Sequence, residues 1–498
     1  MSLRANVIAN AGGQIVASGL AFVLAPLFVG ELGLEAWGLV GILAVLSAWF
    51  NLVDVGLTPS ITRELARADA GSDSALQACN LVRCVEVVYL GIAALIAGLL
   101  AVSADSIVSG WLRLESLASR DAGLSIALMG LIVALRLFEN IYRSVLSGFQ
   151  ELVALNVLSS FFAVLRWGGG LIFVVVSGTG VVGLFAWQAG AAALSLGCFA
   201  WVARRRLRHL CARARLDFAA LRRIRSFASG VAATSVLGFL LTQVDKILLS
   251  RLLPFSEFGL YMLATSLADA LALLAGPLYA ALLPRLSQMT RSADARSIRE
   301  LYLRASQCLA ATLAPCAFLL IVFGQDVVKA WTGSATLAVQ MAPLLALLAF
   351  GRMINGFMHV PAALQMAWGW TSLSVKLNLG AVLVLVPLIV VGVPVYGAIA
   401  YGWSWVTLNV GYLVLGSWLV HRRLLPEQHV TWLRHAVLAP MAVALAWLAG
   451  VRWLVEFPQG RLELTFALGA VLVSAMAITA WATPAARLLL RAYFRPST

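Results

Sequence analysis

Charge is scarce in this chain: Asp, Glu, Lys and Arg make up only 12% of its 498 residues, against about 25% in an ordinary soluble domain. With 61% of residues hydrophobic and a mean hydropathy of +0.92, a water-soluble fold is excluded. Segments of about ten residues with alternating hydrophobicity are missing, which excludes a membrane β-barrel. Enzyme signatures are missing too. There is no H-E-x-x-H, no Cys-x-x-Cys, no G-x-G-x-x-G after a strand and no Walker sequence, so neither a zincin centre nor ATP chemistry is expected. The histidines, His209, His359, His421, His429 and His435, are scattered. No small-residue cleavage site follows the first apolar stretch, and no removable signal peptide is expected. Cys79, Cys84, Cys198, Cys211, Cys308 and Cys316 fall in apolar stretches or in connectors on one side. No disulfide and no resident cofactor are expected.

Long apolar stretches recur along nearly the whole length, each sufficient to cross about 30 Å of hydrocarbon at 1.5 Å per residue. The pattern predicts an all-α integral membrane protein of about fourteen transmembrane helices. These are placed at 7–29, 36–57, 81–103, 122–146, 153–176, 182–202 and 228–250, then 258–282, 305–324, 337–361, 373–392, 396–420, 436–455 and 463–482. An even count puts both termini on one side. Of the 36 Lys and Arg residues, 23 fall in the connectors on that side and five on the other, so the positive-inside rule predicts cytoplasmic termini in a bacterial inner membrane. The net charge of +14 therefore reports topology and anionic lipid headgroups as neighbours, with no nucleic acid partner. The longest outer connector, 104–121, is too short for a second domain.

The Arg-rich connector near 203–227 divides the helices. An offset of 221 residues superposes Trp37-Gly38-Leu39 on Phe258-Gly259-Leu260, and nearly the same offset relates Arg63-Glu64-Leu65 to Pro284-Arg285-Leu286. Six helices per copy is an even number, so the copies run in the same sense and form parallel repeats. The expected organisation is an N-terminal six-helix lobe, 1–205, a cytoplasmic linker, 206–226, and a second six-helix lobe, 227–422. Two extra helices and a tail, 423–498, complete it. A substrate path between two such lobes, opened to alternate sides, implies a carrier.

A charge at mid-membrane costs roughly 2.5–3.5 kcal/mol on insertion scales, so each is expected to face a cavity or a partner. Arg136, Glu139 and Arg143 share one helical face with Asn140. Arg166 and Arg352 lie mid-span without an acid close in sequence. With Arg83 and Lys376 they form a candidate cationic cavity, because guanidinium forks match phosphate oxygens. The plainer alternatives pair Glu139 with Arg136 or Arg143, and Glu86 with Arg83. Asp54, Asp245, Asp269 and Glu139 are candidate carboxylates for coupling to a proton or sodium ion. Asp54 is equally suited to bracing a helix end, and Asp245 to pairing with Lys246. Asn6, Asn10 and Gln14 form a polar stripe that lines a cavity or bonds a neighbouring helix. Gly168-Gly169-Gly170 is expected to permit close packing.

The run Leu32-Gly33, Glu35, Trp37-Gly38-Leu39, Asp54-x-Gly56-Leu57 and Arg63 resembles the first two helices of Wzx-type polysaccharide flippases. Gln243-x-Asp245-Lys246 with Glu257, Gly259 and Tyr261 resembles the start of their second lobe. The resemblance follows the helix order along essentially the whole chain. It implies a MATE-like fold with two six-helix lobes in a V, alternating access, and an undecaprenyl-diphosphate-linked oligosaccharide as cargo. Polymerase and chain-length proteins of the same pathway would be partners. A multidrug antiporter of this fold would want an acidic pocket, which the arginine surplus disfavours. A lipid II flippase has the same span count and cationic lumen and stays open as a reading. A membrane glycosyltransferase or polymerase would want a large outer loop, which is missing.

Overall fold

The computed structural model describes residues 3–54, 57–67, 73–208, 215–217, 239, 242–292, 295–484 and 487; the side chains of 3–18, 51–53, 73, 75 and 291–292 lie outside that description. Among the described residues the regular structure is helical throughout, with no strand. Eleven of the described helices are long and apolar enough to cross a membrane. The number is up to twelve if Phe255–Asp269 and Ala272–Thr290, bent by 43° at their break, count as one further span. Span seven, expected at 228–250, falls largely outside the described residues. The chain is thus a multi-pass all-α membrane protein, as its hydropathy predicts. It divides into two compact units, Met1–Gly259 and Leu260–Thr498.

The first unit opens with α1, Leu3–Asp54. A straight helix of its 52 residues would run about 78 Å, more than twice the hydrocarbon thickness. Gly33 breaks it with φ 83° and ψ 172°, a conformation open to glycine because it has no Cβ. The two arms match the first two expected spans. Then follow α2, Leu57–Arg67, α3, Asp73–Gly110, α4, Ser119–Gly148, and α5, Leu152–Val164. A π-helical segment, Leu165–Gly169, leads into α6, Gly170–Ser177, and α7 is Gly180–Leu207. Helix α4 is the centre of the unit and packs against α3, α7, α2 and α1. The unit buries polar groups within an apolar interior and is apolar outside as well: Ser125, Glu139 and Gln188 are buried, whereas Leu90, Leu95, Leu99 and Val102 of α3 are exposed. That is the pattern of a helix bundle solvated by lipid.

Two features singled out by the sequence have structural reasons. The buried Glu35 carboxylate caps the 111–118 turn: Oε1 accepts from the N–H groups of Glu115 at 2.9 Å and Ser116 at 3.0 Å, and Oε2 from that of Leu117 at 2.7 Å. A carboxylate with several backbone donors is a strong staple where water is scarce. The echoed glycines meet each other's repeats. A Cβ at Gly38 would lie 3.1 Å from the Phe255 ring, and a Cβ at Gly259 would lie 1.9 Å from the Leu34 carbonyl oxygen. The contact is reciprocal, since 259 minus 38 and 255 minus 34 both equal 221.

The second unit runs through α8, Phe255–Asp269, of which the part from Leu260 belongs to it, and α9, Ala272–Ser292. It continues with α10, Ala295–Val322, α11, Gly324–Thr332, α12, Ala335–Phe357, and α13, His359–Ala367. Next come α14, Thr371–Tyr396, α15, Ala398–Gly411, α16, Ser417–Leu424, and α17, Gln428–Trp432. The last two helices are α18, Ala439–Leu454, and α19, Arg461–Ala482. Helix α10 is central here, packing against α12 and against both terminal helices, α18 and α19. A buried polar knot ties its start to the end of α16. Tyr302 Oη and His421 Nε2 are 2.9 Å apart, and Trp432 Nε1 donates to Ser306 Oγ at 2.9 Å.

One expectation is corrected: Cys79 is disulfide-bonded, with its partner outside the described residues. The expectation rested on compartment and on sequence position. The fold brings Arg215 onto α3, where its N–H donates to Asn80 Oδ1 at 2.7 Å, one residue along from Cys79.

Gly259→Ala is expected to destabilise the protein by about 1–3 kcal/mol through overpacking against Leu34, and Gly30→Ala, at which an added Cβ meets nothing within 4 Å, to change little. Thermal unfolding in detergent, followed by size-exclusion chromatography, measures the difference.

Candidate functional site

Helix α4 delivers Arg136, Glu139, Asn140 and Arg143 to one face, as their spacing predicts. They line a cavity of about 280 Å³ together with Ser47, Phe50 and Arg166. The guanidiniums are not equally neutralised. Arg143 Nη1 pairs with Glu139 Oε1 at 3.1 Å, within one turn of the helix. Arg136 Nη2 donates a long bond, 3.4 Å, to Oε1 of the buried Gln188, and its buried Nε has no hydrogen-bond partner among the described residues. Arg166 Nε donates to the carbonyl of Phe162 at 3.2 Å. Neither Arg136 nor Arg166 is in ion-pair contact with a carboxylate among the described residues, and Glu139 is the one acid that lines the cavity, so three cations face one anion.

The position of Arg166 follows from its local fold. It lies in the π-helical segment Leu165–Gly169, where the backbone ladder is interrupted. The Trp187 indole N–H donates to the Leu165 carbonyl at 2.8 Å, satisfying an acceptor that the bulge leaves over. The same ring packs where a Cβ on Gly169 would come within 2.7 Å. The glycine run therefore serves close packing, as expected, and the packing group also supports the bulge that carries the arginine.

A second cavity of about 590 Å³ shares Asn140 and Arg143 with the first and adds Asp54, Thr58, Thr62, Arg63, Ser144 and Ser147. Asp54 is held from two helices: Tyr89 Oη on α3 donates to Oδ1, and Asn140 Nδ2 on α4 donates to Oδ2 at 3.1 Å. A polar path thus follows α4 from Arg136 to Ser147.

The other candidates lie elsewhere. Arg83 is exposed and lines a separate groove between α3 and α7. Glu86, its expected ion-pair partner, instead accepts from Tyr142 Oη at 2.8 Å. In the second unit Arg352 pairs with Asp269 at 2.6 Å and lies over the Trp405 ring at 4.8 Å; these two helices are 83 residues apart, beyond the reach of sequence spacing. Lys376 is exposed on α14. Asp245 and Lys246 are buried and 3.6 Å apart, and Lys246 Nζ also donates to the Thr242 carbonyl at 2.8 Å. Asn6, Asn10 and Gln14 belong to the part of α1 whose side chains lie outside the described residues. Gln188 and Tyr89 were missed from the sequence. Their only signal was an uncharged polar group inside an apolar stretch.

Residues 3–290 match the family described as polysaccharide biosynthesis protein, more than half of the chain and including the whole arginine cavity. The chain belongs to this family. A curated relative in Shigella flexneri, described as an O-antigen transporter, is 20% identical over 432 residues, covering 85% of this chain and 98% of its own. Among solved structures, the lipid II flippase MurJ in an inward closed conformation superposes with a TM-score of 0.72 at 11% identity, covering 98% of this chain and 99% of its own. An inward-facing MATE family multidrug transporter of the MOP superfamily gives 0.64 at 16% identity, covering 84% and 98%. At such identities the likeness carries the fold, and the polysaccharide biosynthesis protein shares the MurJ and MATE architecture.

The Arg143–Glu139 pair is expected to be coupled by about 0.5–3 kcal/mol. Glu139→Gln alone leaves three uncompensated guanidiniums and lowers thermal stability in detergent. Arg143→Gln added to it recovers part of the loss, and a double-mutant cycle measures how much.

Proposed function

We propose that this polysaccharide biosynthesis family member is a flippase, moving undecaprenyl-diphosphate-linked oligosaccharide units from the cytoplasmic to the outer leaflet of a bacterial inner membrane. The observation that carries the proposal is the uncompensated charge of Arg136 and Arg166 inside a membrane-spanning unit. A buried cation without a carboxylate is costly, and a diphosphate supplies the missing anion with oxygens spaced for guanidinium forks. The family membership and the O-antigen transporter relative support the saccharide, and the MurJ-like fold supports a lipid-linked carrier in place of an enzyme. Both termini face the cytoplasm in this reading, consistent with the arginine asymmetry of the connectors. The two six-helix lobes, 1–205 and 227–422, alternate the exposure of the site, and polymerase and chain-length proteins receive the product. No cofactor is required; a proton or sodium gradient supplies the drive, and Asp54, between Tyr89 and Asn140 beside the arginine path, is the preferred coupling carboxylate over Glu139, Asp245 and Asp269, each of which has a basic neighbour. Export of lipid II itself is the second reading, since its diphosphate meets the same arginines.

Arg136→Gln/Arg166→Gln should lower surface polysaccharide at least about tenfold, the scale of one or two lost charge-assisted hydrogen bonds, with the protein still inserted at wild-type level. Immunoblots of membranes beside polysaccharide quantification in cells decide this, and undiminished export removes the cationic site. In proteoliposomes, collapsing the proton and sodium gradients should slow translocation of wild type, and Asp54→Asn should be insensitive to that collapse; a wild-type rate independent of both gradients rules out the coupling.

A further inference from the structure

The groove that holds Arg83 is a second cationic feature, separate from the arginine cavity. It has a volume of about 970 Å³ and is walled by α3 and α7. Each wall is the end of an apolar stripe that faces outward. On α3 the stripe runs through Val102, Leu99, Leu95, Leu90 and Val87 and ends at Arg83, while on α7 it runs through Leu194 and Trp201 and ends at Arg204, Arg205 and Arg208. Exposed leucine and valine on a membrane-spanning helix mark the surface that acyl chains solvate. The arginines therefore stand where that surface gives way to the headgroup layer, the depth at which long basic side chains and tryptophan concentrate.

The charges in the groove are positioned but not spent. Glu86, the one acid in its lining, accepts from Tyr142 Oη, and Arg204 Nη2 donates to that same oxygen at 3.1 Å. Arg205 stacks on the Trp201 ring at 3.6 Å, and Arg206 is turned away to Glu151 at 2.6 Å. Arg83 and Arg208 have no carboxylate partner among the described residues. Leu216 closes one side, its segment anchored by the Arg215 N–H on Asn80.

We infer that this groove is a binding site for an anionic phospholipid, with the headgroup phosphate among Arg83, Arg204 and Arg208 and an acyl chain along Val87, Gly197 and Trp201. Charge selects the headgroup, and the continuity of the groove with both outward apolar stripes selects a lipid over a soluble phosphate. The site is separate from the arginine cavity: α4 reaches it through the Tyr142 hydroxyl, which bonds Glu86 and Arg204, whereas Arg136, Asn140 and Arg143 line the other.

The test is native mass spectrometry of the purified full-length protein released from nanodiscs of phosphatidylcholine mixed with phosphatidylglycerol, counting retained lipids. Wild type should retain phosphatidylglycerol selectively, and Arg83→Gln/Arg208→Gln should lower that retention about fivefold per charge removed. Arg422→Gln/Arg423→Gln, which removes two exposed arginines at the end of α16, should retain it at the wild-type level. Arg83→Lys/Arg208→Lys keeps the charge and should keep most of the selectivity. If the glutamine variant does not accumulate, Trp201→Ala, which takes away the ring under Arg205, must itself reduce retention. Equal losses in the two arginine-to-glutamine variants, equal retention of phosphatidylcholine, unchanged retention in Trp201→Ala and Arg83→Gln/Arg208→Gln, or displacement of the lipid by millimolar inorganic phosphate would each overturn the assignment.

Discussion

The interaction on which the first unit depends is one that its own residues leave incomplete. In a medium that solvates ions poorly, a guanidinium must be answered by an anion, by dipoles or by water. Helix α4 carries its own answer for Arg143, namely Glu139 one turn back. For Arg136 it borrows the dipole of Gln188 from α7, and Arg166, on the segment that follows α5, bonds the Phe162 carbonyl. Much else serves to hold this imbalance in place. The staple at Glu35 orients the turn before α4, and Asp54 is bound between Tyr89 and Asn140, so that its charge is shared with hydrogen-bond donors instead of being drawn to an arginine.

How much of this could be read from the sequence varies with the distance over which each feature is decided. The spans were legible because hydrophobicity over about twenty residues is a local property, and the shared face of Arg136, Glu139, Asn140 and Arg143 was legible because helical spacing fixes neighbours within two turns. The partnership of Arg352 with Asp269 was not, because it depends on which helices pack side by side, and Arg352 was therefore counted as surplus when it is paired. Arg83 shows the converse error. An arginine near a span's end reads as facing inward, whereas helix rotation leaves Arg83 exposed in the groove between α3 and α7. Asp54 illustrates a third limit, since two of its donors arrive from α3 and α4 and leave no mark near it in the chain.

The echo between Gly38 and Gly259 gains a physical meaning from the contact. Each glycine gives room to the residue four positions before the other, so that one local rule, a small residue four positions after an apolar one, is used twice at the same crossing. Close approach of helix backbones of this kind is how membrane helices gain packing energy in the absence of a solvent that drives them together.

The π-helical segment under Arg166 has its own consequence. One residue more than an α-helix requires is accommodated between Leu165 and Gly169, and an α-helix turns about 100° per residue. Removing a single residue there would restore an unbroken ladder and turn Arg166 by that angle relative to α6 without any substitution. Which face of this span carries the charge is therefore governed by chain length as well as by residue identity, so a one-codon deletion would reset the register between its two halves while the neighbouring helices keep their sequences.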